Sequence, residues 1–156
     1  MVDGKYSTQV YLDFFSKTFA DYKKQKKLET KDFDVIIYHL PFTKMGLKAN
    51  RPAVADQDEA TTEKLQNSFD ASKQLSRRAG NIYTASLYMS LLSLLENGNL
   101  PAGALVGLFS YGSGAMGEFY SGRAMKKKLT LLVMKRCLSV VRRLVFLNTK
   151  RSSILH

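Results

Sequence analysis

One of the chain's two histidines, His39, stands between an apolar run and a proline in YHLPFTKMG, residues 38–46. An imidazole there can be a reagent, because ligands of open α/β sheets bind beyond the C-terminal ends of the strands. The positive end of a helix starting just after it would disfavour imidazolium, leaving a neutral ring able to accept a proton or polarise a carbonyl. It can equally be a core histidine bonded to a backbone carbonyl, and position alone leaves both readings open. Lys44 and Lys48, four apart on that expected helix, would project both ammonium groups from one face near His39. Such a pair can hold phosphates; more often it is a solvated face.

Ser113 is flanked by glycines in SYGSGAMGEF. Glycine on both sides permits backbone geometry closed to other residues and lets a ligand approach the main-chain N–H groups. A nucleophilic serine is disfavoured, because the hydrolase elbow is G-x-S-x-G on a strand-to-helix turn followed by an acid and a histidine. Here the spacing is G-S-G, and the only later histidine is the terminal His156. A tight β-hairpin is the plainer reading, and a hairpin that hydrogen-bonds an acyl or pantetheine group is the intermediate one. Asn81, just ahead of an apolar helical stretch, would cap that helix or point its amide into a pocket. One cysteine, Cys137, and two histidines cannot assemble a zinc or iron–sulfur ligand set, so no metal and no bound cofactor are expected.

These residues need elements to hold them. In STQVYLDFFSKTFADYKKQKK, residues 7–27, Val10, Tyr11, Phe14, Phe15, Thr18, Phe19 and Tyr22 recur at helical spacing, which predicts an amphipathic helix capped by Ser7 or Thr8. FDVIIYHL reads as a strand covered on both faces, with Pro41 in the first turn of a helix running to about Lys48. Residues 57–75 read as a more polar helix with Ala60, Leu65, Phe69 and Leu75 inward. Residues 82–96 are apolar all round and so expected to be largely buried, ending at Gly98 and Pro101. ALVGLFSYG and AMGEFYSG predict two strands meeting at Gly112-Ser113-Gly114. That order means an α/β fold with helices packed on a sheet.

The formal charge of +11 is unevenly placed. Residues 1–122 carry 14 basic and 13 acidic side chains, whereas residues 123–156 carry ten basic ones, no acid, no glycine and no proline. A compositional break therefore falls near Arg123. The body has no basic stripe that would recognise nucleic acid. The N-terminal sequence lacks a secretory pattern, no apolar run is long enough for a transmembrane helix, and the lone cysteine fits a reducing compartment; these point to a cytoplasmic, globular protein.

Taken in order, YHLPFTKMGLKA, GNIYTASLY and GALVGLFSYGSGAMGEFYSG resemble the C-terminal half of bacterial hydroxymethylglutaryl-CoA synthase, a thiolase-fold enzyme family of the mevalonate route to isoprenoids. The resemblance runs from about Val2 to Gly122. It implies half of a thiolase-like layered fold with a mixed sheet over residues 1–122. It also implies an acyltransferase that condenses acetyl-CoA with acetoacetyl-CoA, with the CoA thioesters as substrates and a homodimer as the full-length state. It gives His39 the positioning and polarising of acetoacetyl-CoA, gives Asn81 and Ser113 the acyl thioester, and gives Lys44 and Lys48 the CoA phosphates or their neighbourhood. Tyr83 and Tyr111 become candidate pocket walls, although tyrosines are more often packing.

The cysteine nucleophile and the glutamate of the family belong to its N-terminal half. Cys137 lies beyond the resemblance and is no substitute, because a catalytic thiol must lie within reach of its base. The resemblance thus implies a fragment inactive by itself, exposing surface meant for the other half. For residues 123–156 two readings stand: translation in a wrong frame, or a basic amphipathic tail that would make the chain an adaptor for an anionic membrane or acidic partner. The abrupt loss of Gly, Pro, Asp and Glu favours the first.

Overall fold

A computed structural model describes residues 4–112, 114 and 116–125, and the compact unit they belong to ends at Met125. Ser113, Cys137 and the basic segment after Met125 lie outside the described residues. Among the described residues three strands form the sheet: β1 (Val35–Tyr38), β2 (Leu105–Gly112) and β3 (Met116–Arg123), in the order β1-β2-β3. β1 runs parallel to β2, with Val35 opposite Val106 and Tyr38 opposite Phe109. β2 runs antiparallel to β3, with Gly112 opposite Met116, the pairing that the predicted hairpin requires. The sheet is mixed and carries helices on it, as the element order requires.

All four residues of β1 are buried, and alternation divides them between two cores. Ile36 and Tyr38 join Phe109 and Phe119 beneath α1 (Gly4–Lys26), which contributes Tyr11, Phe15 and Phe19. α2 (Thr43–Val54) and α3 (Glu59–Ser72) complete this core with Met45, Ala49, Leu65 and Phe69. Val35 and Ile37 face the other way with Val106 and meet Leu87 and Leu94 of α5 (Ser86–Asn97). A short α4 (Ser76–Ala79) and a 3-10 turn at Tyr83–Ala85 link α3 to α5.

Several local expectations need correction. Ser7 and Thr8 do not cap α1: the helix starts at Gly4, and the Thr8 hydroxyl donates back to the Gly4 carbonyl at 2.9 Å. Pro41 precedes rather than opens α2, whose N-cap is Phe42. That helix continues past Lys48 through Pro52, which lies in its final turn. Asp58 caps α3, accepting the Thr61 N–H at 2.7 Å, so Ala60 falls on the exposed side and Thr61 turns inward. Leu75 lies beyond α3 and is only half-buried. α5 is not largely buried either: Tyr88 is 62 % exposed although the sequence around it is apolar on every side.

Candidate functional site

His39 follows the last residue of β1, and the sheet ladder still reaches it: its N–H donates to the Phe109 carbonyl at 2.9 Å. Its carbonyl instead accepts the hydroxyl of Tyr11, on α1, at 2.9 Å. The imidazole is buried, with the Tyr111 ring tilted against it at 6.5 Å between centroids. Among the described residues neither ring nitrogen has a hydrogen-bond partner, so the bland reading of a core histidine tied to a carbonyl finds no support there. Burial holds the imidazole pKa below its ordinary value, which keeps the ring neutral at neutral pH. The neutral state expected from a helix dipole thus arises from desolvation.

Four residues after His39 the chain enters α2, and Lys44 and Lys48 stand exposed on one face of it, without an ion-pair partner among the described residues. α2 can approach α3 closely because residue 46 is glycine: a Cβ there would collide with Leu40 and stand 2.8 Å from the Phe69 ring. The same contact holds Leu40, the residue after His39, in place.

Asn81 is exposed, and its Oδ1 accepts the Tyr83 N–H at 2.8 Å, bracing the 3-10 turn ahead of α5. A backbone N–H can only donate, so the amide oxygen is the acceptor here, and among the described residues the NH2 group of this exposed side chain has no hydrogen-bond partner. Tyr83 sits at φ 53, a left-handed conformation costly for a residue with a side chain. It is 75 % exposed, so it walls no pocket among the described residues, whereas Tyr111 does stand beside the imidazole.

The elements bring these groups to one end of the sheet. Leu94 and Asn97 of α5 share a hollow with Asp34 and Val35, so the helix ends where β1 begins. Its start, and the turn carrying Asn81, therefore point toward the His39 end, and that turn touches β2. The hairpin after Gly112 lies at this end as well. Phe42, Tyr83 and Met116 are exposed apolar side chains, one just before α2, one ahead of α5 and one opening β3, which leaves an apolar rim at this end. No hydrogen bond joins Asn81 to His39, Lys44 or Lys48 among the described residues. The hollow of about 410 Å³ between α3 and α5 lies at the opposite end of β1, and no predicted site residue lines it. Among the described residues no group of three or more metal-ligating side chains is placed to hold an ion, and no helix is long and apolar enough to cross a membrane.

Residues 49–145 match the family model for the hydroxymethylglutaryl-coenzyme A synthase C terminal. The chain belongs to the hydroxymethylglutaryl-CoA synthase family. It is 46 % identical over 123 residues to the hydroxymethylglutaryl-CoA synthase of Enterococcus faecalis, an alignment covering 78 % of this chain and 32 % of that protein. The human mitochondrial hydroxymethylglutaryl-CoA synthase is 31 % identical over 173 residues, covering 79 % and 34 %. Among solved structures, a hydroxymethylglutaryl-CoA synthase complexed with CoA superposes with a TM-score of 0.78 at 42 % identity, over 87 % of this chain and 37 % of that one. The fold is therefore part of the thiolase-like fold of hydroxymethylglutaryl-CoA synthases, and the chain spans about a third of the length of the relatives it matches. The family match extends to residue 145, past the compositional break at Arg123.

What the sequence did not single out is Tyr11. It shows there only as one apolar position of an amphipathic helix, and a tyrosine whose hydroxyl meets a strand end 28 residues away has no local signal.

Proposed function

We propose that this chain is the acetoacetyl-CoA-binding part of hydroxymethylglutaryl-CoA synthase, an acyltransferase that condenses acetyl-CoA with acetoacetyl-CoA on the mevalonate route. The observation that carries the reading is the buried, neutral His39 at the end of β1, beside the start of a helix bearing two exposed lysines. A neutral imidazole can hydrogen-bond the ketone or thioester oxygen of acetoacetyl-CoA and polarise it without carrying charge into an apolar site. The NH2 of Asn81 supplies a second donor for the thioester oxygen, and the hydroxyl of Ser113 a third. Lys44 and Lys48 neutralise CoA phosphates. The acyl and pantetheine parts lie along the rim formed by Phe42, Tyr83 and Met116.

In this reading the chain binds but does not turn over by itself, because the cysteine that carries the acetyl group and the glutamate that assists its deprotonation come from the other half of the family's fold. Calorimetric titration of the full chain with acetoacetyl-CoA tests the reading. Heat of binding is expected from the wild type, with at least tenfold weaker affinity in His39→Ala. No heat from either protein would overturn it.

No role in this site is assigned to residues 123–156. Their composition supports translation out of frame, and the family match reaching residue 145 counts against it. Nucleotide sequence around codon 123 decides: a one-base shift should restore family-like sequence. Nothing in the matched relatives favours the adaptor reading of the tail.

A further inference from the structure

The geometry points to Tyr11 as the positioning residue of His39. This rests on the reading of His39 as the polarising group, and it adds a residue outside the family motifs on which that reading was built.

His39 is the point where β1 stops being a strand. Its N–H is still in the ladder, on the Phe109 carbonyl at 2.9 Å, but its own carbonyl leaves the ladder and takes the Tyr11 hydroxyl at 2.9 Å. The two hydrogen bonds hold the residue from both sides and fix the plane of the peptide that follows it. With that plane fixed, the direction of the Cα–Cβ bond carrying the imidazole is fixed too. The Tyr11 ring is fully buried and stands edge-on to two β2 rings, Phe109 at 5.3 Å and Tyr111 at 5.2 Å. Tyr111 is the ring that tilts against the imidazole. One side chain from α1 thus sets both the backbone of His39 and the wall beside its ring. Burial also pushes the Tyr11 phenol far above the ordinary tyrosine value, so the hydroxyl remains a donor at every pH where the protein is folded. The titratable groups facing this corner are Tyr11 from α1 and Tyr111 from β2, with Tyr38 on β1 itself turned into the core.

The test is an NMR titration of the imidazole signals of the full chain, with His39 told apart from His156 by the spectrum of His39→Gln. Tyr11→Phe keeps the packed ring and removes only the donor. Its expected effect is an upward shift of the His39 midpoint toward the ordinary histidine value, as the loosened ring gains water, with altered ring shifts. Tyr22→Phe is the control, since the Tyr22 hydroxyl meets Ser121 Oγ at 2.8 Å on β3, and it should leave His39 unmoved. An unmoved His39 in a folded Tyr11→Phe protein, or equal movement in both variants, overturns the inference. If Tyr11→Phe does not fold, 3-fluorotyrosine at position 11 decides: its stronger donor must displace the His39 ring signals, and unchanged signals overturn the inference. No substrate is used, so a failure here is separate from a failure to bind acetoacetyl-CoA.

Discussion

The hydroxyl of Tyr38 donates to Oδ1 of Asn50 at 3.1 Å, and both side chains are fully buried. The Asn50 amide then donates to Gln66 Oε1 at 3.0 Å, so β1, α2 and α3 are tied by a polar chain inside an aromatic core. Asn50→Leu leaves the Tyr38 hydroxyl without its acceptor in a place where water cannot replace it. A buried polar group stranded in this way costs about 1–3 kcal/mol. Urea denaturation should show that loss, and Tyr38→Phe in the Leu variant should recover part of it.

Gly46 is the second control point behind His39. Gly46→Ala puts a methyl group against Leu40 and the Phe69 ring, and both are packed core side chains. Overpacking of this kind costs about 1–3 kcal/mol. Because Leu40 adjoins His39 and α2 carries Lys44 and Lys48, affinity for acetoacetyl-CoA should fall along with thermal stability. In Gly107→Ala the new methyl would stand 2.6 Å from the Phe119 ring and 3.1 Å from Phe33, and neither of these adjoins His39 or belongs to α2. That variant should lower stability and spare the affinity of whatever fraction is folded.

The pH dependence of stability follows from His39. Its folded pKa lies below the ordinary 6.5 because burial penalises imidazolium, so between the folded and unfolded values the unfolded chain binds more protons. Stability therefore rises with pH through the window just below 6.5 and is flat above it, as far as this group is concerned. Asp58, held below its ordinary value by the Thr61 N–H and hydroxyl, adds a second loss in more acid solution, as pH falls below the ordinary 3.8. Denaturation midpoints measured in steps from pH 5 to 8 should show the first step in the wild type and none in His39→Gln.

α5 presents Tyr88, at 62 % exposed, with half-buried Leu91 and Leu95 on the same helix and half-buried Leu108 and Tyr120 of the sheet packed against the core beneath it. An apolar surface of that kind drives self-association in water. Sedimentation should show concentration-dependent association of the chain. The Tyr83→Ser, Tyr88→Ser double variant should reduce it while moving the thermal midpoint little, since neither side chain is buried.

Strand positions were legible because they are written in local pattern: VIIY is a continuous apolar run, and the glycines around residue 113 mark the hairpin. The covering of α5 was misread for a physical reason. An apolar helix reports that it is covered in the complete fold, and this chain holds about a third of the length of its relatives. The cap of α1 was misplaced because Thr8 bonds backward along the helix, a hydrogen bond that looks identical in sequence to a cap. His39, Lys44 and Lys48 follow from their spacing along the chain. The Tyr11 contact does not, because it joins positions 28 apart through tertiary packing.

β1 pairs with β2 across a long stretch of chain, Val35 meeting Val106, with four α-helices emerging in between. During synthesis the first strand must wait, unpaired and wholly apolar, until the ribosome has released the second. A nascent chain arrested before Leu105 would hold a complete α1 and a bare VIIY segment, which is a substrate for chaperones. The histidine would acquire its surroundings only in the last moments of folding, when the final hairpin closes.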